Sequence, residues 1–105
     1  MARTLLSVQI LPRTPDGGDV IPYVDRAIEV IQASGLPFRV GPLETTMEGE
    51  LDELLAVVAR MNEEMVRMGC PSVIHQIKIY HNTEGASMNE LTRKYDPPAG
   101  GGESK

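Results

Sequence analysis

Near the start of the chain, apolar positions alternate. Leu6, Val8 and Ile10 fall on one side of an extended backbone, and Leu5, Ser7, Gln9 and Leu11 fall on the other. This period of two predicts a strand over Thr4–Leu11, ended by Pro12, with one apolar face and one mixed face. Pro15, Asp16, Gly17 and Gly18 then make a loop, after which the period lengthens. Ile21, Val24, Ile28 and Ile31 recur at helical spacing and predict a helix over Asp19–Ser34. Asp19 stands where an N-cap belongs, Pro22 is tolerated in the first turn, and Gly35 follows the end as a C-cap glycine does.

Leu36–Val40 and Leu43–Glu48 read as two short strands around Gly41-Pro42, close enough in sequence to pair as an antiparallel hairpin. Glu50–Met68 returns to helical spacing, with Leu51, Leu54, Leu55, Val58, Met61, Met65 and Met68 as its expected buried stripe. Glu50, Asp52 and Glu53 suit the positive end of that helix, and Gly69 and Pro71 stop it. Ser72–His81 alternates again, with Val73, His75, Ile77 and Ile79 opposed to Ile74, Gln76, Lys78 and Tyr80. Ser87–Tyr95 predicts a short terminal helix capped by Ser87. Residues 97–105 lack the apolar content to pack and are expected to be a disordered tail, leaving one domain over residues 1–96.

The order β-α-β-β-α-β predicts an α+β, ferredoxin-like split sandwich: a four-stranded antiparallel sheet, two helices on one face, and a short C-terminal helix. Right-handed crossovers put both long helices on the same side and leave the second face bare. That face is half apolar, so homo-oligomerisation is expected, as a dimer or tetramer through the open sheet face and the edges.

Composition narrows the function. At 105 residues and 41% hydrophobic, the chain supports one modest core, built with few rings because aromatics are only 4%. A net charge of −5 with scattered Lys and Arg argues against nucleic-acid binding. Cys70 is the single cysteine, which points to a reducing compartment. No stretch approaches the roughly 20 apolar residues of a membrane span, and the opening residues do not resemble a secretory leader, so a cytoplasmic setting is expected.

Candidate chemistry is sparse. His75 and His81 lie six residues apart on one strand. At about 3.3 Å per residue they are roughly 20 Å apart, too far to share an ion, so no metal site is expected. Cys70 follows a helix C-terminus, where the dipole disfavours a thiolate, and no nucleotide-phosphate glycine motif occurs. The remaining polar concentration is Glu44-Thr45-Thr46-Met47-Glu48-Gly49-Glu50. Thr46 and Glu48 share a strand face, with Thr45 beside them. Set against that, threonines favour strands anyway and a glutamate there can simply cap the following helix.

On particular stretches the chain resembles the small thiamine-binding protein family, related to the YkoF superfamily. These are Ser7–Pro12; Tyr23–Ile28 followed by Ser34–Pro42; and most distinctively Thr45-Thr-Met-Glu-Gly-Glu-Leu-Asp-Glu53. The resemblance implies a ferredoxin-like fold, a dimer or tetramer, and binding of thiamine or its hydroxymethylpyrimidine moiety without turnover. On that footing the expected ligand-binding residues are Glu48 as anchor, Thr46 and Thr45 as supporting hydrogen-bonders, Ser7 with Gln9 along the wall, and Phe38 or Tyr80 over the ring. No cofactor beyond the bound ligand is expected. The alternatives are a small ferredoxin-like enzyme of isomerase or oxygenase type, with Glu48 or His75 titrating, and a purely structural oligomerisation module.

Overall fold

The structure, a computed structural model, describes residues 2–95. The expected tail at 97–105, and the domain boundary at 96, lie outside the described residues. The elements run β1 (Thr4–Arg13), α1 (Ile21–Ala33), β2 (Phe38–Val40), β3 (Thr45–Gly49), α2 (Leu51–Arg67), β4 (Ser72–His81) and α3 (Met88–Thr92).

The strands form one sheet in the order β2-β3-β1-β4, every neighbour antiparallel. Strand β1 is central and carries the alternation read from sequence: Leu6 and Val8 are buried, while Ser7 and Gln9 are half-exposed on the other face. It runs on through Pro12, which pairs with Val73 of β4. Pairing with β3 ends at Val8, so the proline stands where β1 has a neighbour on one side only and a missing N–H is tolerated.

Helices α1 and α2 lie side by side on one face. Ala27 and Ile31 of α1 meet Leu54, Val57, Met61 and Met65 of α2 over Leu6, Val8 and Met47 of the sheet. Capping explains the ends. Asp19 Oδ1 accepts from the Ile21 amide at 3.0 Å, one position ahead of the N-cap residue Val20. Gly35 adopts a φ of 77°, the left-handed conformation that closes a helix and that a Cβ disfavours. Across the helices, Arg26 Nε donates to Glu64 Oε1 at 2.8 Å, and Arg67 pairs with the same carboxylate.

The buried stripe of α2 is rotated from the expected one. Val57 is buried, whereas Leu51 and Leu55 are over 40% exposed. The spacing Leu54, Val57, Met61, Met65 centres on the sheet, and Leu51, Leu55, Val58 and Asn62 form the adjacent stripe, four, seven and eleven residues along. Asn62 accepts from His75 of β4 at 3.1 Å, which places this second stripe along the β4 edge.

The second face is not wholly bare. After β4 the chain turns back, with the Asn82 amide donating to the Arg3 carbonyl and the Ala86 amide to the Ala2 carbonyl, both at 2.9 Å. Helix α3, with Ser87 as its N-cap, then sits over the end of that face. Leu5, Ala86 and Met88 form a small second core.

Candidate functional site

What side chains meet on the open face follows from pleat and register. Strand β3 alternates: Thr45, Met47 and Gly49 are buried on the helix side, and Thr46 and Glu48 are half-buried on the other. Thr46 lies opposite Ser7, and Glu48 opposite Leu5. Across β1, Ser7 faces Lys78, and Leu5 faces Tyr80. Arg39 of β2 lies beside Thr46. A polar row, Arg39–Thr46–Ser7–Lys78, therefore crosses all four strands, and directly paired residues in such a row have Cβ atoms about 4.5–5.5 Å apart. Gln9 and Gln76 form the next pair along.

Helix α3 borders this row. Glu48 Oε1 accepts from the Met88 amide at 2.9 Å. Arg39 donates to Asn89 Oδ1 at 2.8 Å and to Thr92 Oγ1 at 3.2 Å. Glu48 is thus a held, half-buried group. A carboxylate offers about four lone-pair sites, so one amide bond leaves it acceptor capacity. Beside Tyr80, a hollow of about 300 Å³ opens between the end of β4 and α3, lined also by Ala86, Ser87 and Leu91.

The structure places Ser7, Gln9, Thr46, Glu48 and Tyr80 on one sheet face but not the other two expected residues. Thr45 and Phe38 point to the helix side, since Thr45 pairs with Val8 and Phe38 with Met47. Adjacent residues on a strand face oppositely, so Thr45 and Thr46 cannot serve one pocket, and Phe38 cannot cover a ring held by Glu48. Thr45 instead lines a hollow of about 370 Å³ beneath the hairpin, with Val8, Ile10, Val24, Val40 and Leu43. Sequence reading missed Lys78 as a neighbour of Ser7. Its face was legible from alternation; its partner depended on register.

Both histidines lie on the helix side of β4, opposite Ile10 and Thr4. His75 donates from Nε2 to Asn62, its Nδ1 is buried without a partner, and burial holds its pKa below the usual histidine value. His81 Nδ1 is 2.8 Å from Thr4 Oγ1. Cys70 is buried and unpaired with another cysteine. Among the described residues no group of three or more His, Cys, Asp or Glu stands close enough to hold a metal ion. Nor, among them, is any helix long and apolar enough to cross a membrane.

Fold and site together define a ferredoxin-like α+β domain with a polar strip on the sheet face opposite α1 and α2, bordered by α3. The model of the thiamine-binding protein family matches residues 6–96, and the chain belongs to that family. It is similar to a UPF0045 protein of Clostridium perfringens, 41% identical over 90 residues that cover 86% of this chain and 94% of the relative. Among solved structures it is similar to a domain of unknown function, DUF77, from Bacillus cereus. That likeness has a TM-score of 0.83 and 42% identity, covering 90% of this chain and 91% of the other. A candidate thiamine biosynthesis/salvage protein from Thermotoga maritima superposes with a TM-score of 0.81 at 29% identity, covering 90% and 99% of the two chains.

Proposed function

We propose that this chain binds thiamine, or its hydroxymethylpyrimidine moiety, without turning it over, as a carrier, buffer or sensor. Family membership and the Thermotoga maritima neighbour support the ligand class. The observation that carries the site is Glu48, a half-buried carboxylate beside Thr46, fixed by the Met88 amide of α3 on the sheet face opposite α1 and α2. An aminopyrimidine presents an amino donor and ring nitrogens. A carboxylate accepts from the amino group, or from a protonated ring nitrogen, in a bond worth about 1.5–3 kcal/mol. The Thr46 and Ser7 hydroxyls can donate or accept alongside it. Thr45 and Phe38 stand on the opposite face and are left out of the proposed site. Of the two titrating groups of the enzyme alternative, His75 lies across the sheet from Glu48, so they do not share one site. The lone cysteine supports a reducing, cytoplasmic setting.

The same reading includes a second copy of the chain. Strand β4 is a ten-residue edge strand, and its Ile77 and Ile79 are exposed beside the exposed Leu51 and Leu55 stripe of α2. Long apolar edges of this kind pair with another chain or aggregate.

Calorimetric and thermal-shift titration with thiamine and with hydroxymethylpyrimidine tests the proposal. A ligand at a hundred times its Kd should stabilise the fold by about 2.7 kcal/mol. If neither compound at millimolar concentration moves the unfolding temperature, the binding reading is lost.

A further inference from the structure

We infer that the ligand of this face carries a phosphate ester next to its pyrimidine ring, held by Ser7, Thr46 and Lys78; this rests on the binding reading above. The face carries more hydrogen-bond donors than a neutral pyrimidine ring uses. Glu48 Oε1 is already occupied by the Met88 amide. The row beside it offers two hydroxyls, Thr46 and Ser7, followed by the Lys78 ammonium. Lys78 forms no ion pair among the described residues, and it stands exposed on the edge strand. At the far end of the row, the Arg39 guanidinium donates to the side-chain oxygens of Asn89 and Thr92. A cation beside two hydroxyls is a local attractor for anions even in a chain of net charge −5.

The spacing suits a short linkage. Strands are about 4.8 Å apart, so Thr46 and Lys78 flank Ser7 across roughly 10 Å, and the four-carbon lysine stem can bring its ammonium back over Ser7. Glu48 lies two residues from Thr46 on the same face, about 7 Å along the strand. Ser7 stands on the diagonal from Glu48, about 7–8 Å away, a span filled by a pyrimidine ring together with its methylene-oxygen link. That geometry selects the phosphate monoester of hydroxymethylpyrimidine over the longer thiamine phosphates.

Calorimetric titration of the full chain with hydroxymethylpyrimidine and with its phosphate ester decides the matter. The ester should bind at least tenfold tighter. In Lys78→Met the ester-to-alcohol ratio should fall to near one, and Lys78→Arg, which keeps the charge on the same strand, should restore most of it. Equal affinity for alcohol and ester in the natural chain, or a preference that survives Lys78→Met, overturns the phosphate inference alone. Failure of both compounds to bind where thiamine still binds overturns this inference alone, and failure of all three overturns the binding reading with it.

Discussion

The Glu48 carboxylate accepts the Met88 amide hydrogen at 2.9 Å, tying the third strand to the C-terminal helix. The group proposed to anchor a ligand is therefore also the group that holds the border of its site. Substitutions separate the two roles. Glu48→Gln keeps a carbonyl acceptor for Met88 but loses the charge. It should weaken ligand binding about tenfold, read by calorimetry, while leaving α3 docked. Glu48→Ala should in addition lower stability by about 1 kcal/mol and speed amide exchange over 86–92.

The rotated stripe of α2 makes a sharp comparison. Leu54 is fully buried and Leu55 is 44% exposed. Leu54→Ala should cost about 2–5 kcal/mol in denaturant unfolding, through lost burial and the cavity left behind. Leu55→Ala, in the monomer, should cost well under about 1 kcal/mol. Equal costs would mean that the helix is turned as its sequence pattern first suggested.

Burial lowers the His75 pKa from its ordinary 6.5, so the folded state favours the neutral ring. As pH falls through 6.5 the unfolded chain takes up a proton that the folded chain resists, and stability drops until the folded ring titrates as well. Thermal unfolding from pH 8 to pH 5 should show this loss. In His75→Leu the slope near pH 6 should flatten.

Glu64 behaves in the opposite manner. Hydrogen bonds from Arg67 and Arg26 lower its carboxyl from 4.5 to about 2. Its contribution to stability is complete above pH 4.5 and is lost as pH falls toward about 2. Glu64→Gln should remove that component of acid sensitivity, visible as a shallower decline of unfolding temperature below pH 4.5.

If β4 and the neighbouring stripe of α2 are covered by a second copy, a charge placed there should separate the copies. Ile79→Lys, at a position 45% exposed in the single chain, should shift the mass measured by light scattering to that of a monomer. Its helical content should remain. A natural chain that is already monomeric at high micromolar concentration sinks the assembly reading.

The sequence determined the elements and their order, because a period of two or of 3.6 in apolar residues is a local property. Strand β4 begins and ends where its alternation does, and Gly35 and Ser87 cap α1 and α3 as their chemistry demands. It also determined that Thr46 and Glu48 share a face. Tertiary structure alone decided what stands beside them. Register between distant strands put Ser7 between Thr46 and Lys78, separated Thr45 and Phe38 from Glu48, and fixed which side of α2 meets the sheet. The docking of α3 on Glu48 was equally invisible, since a glutamate's partner forty residues away is chosen by packing and chain return, not by any neighbour in the sequence.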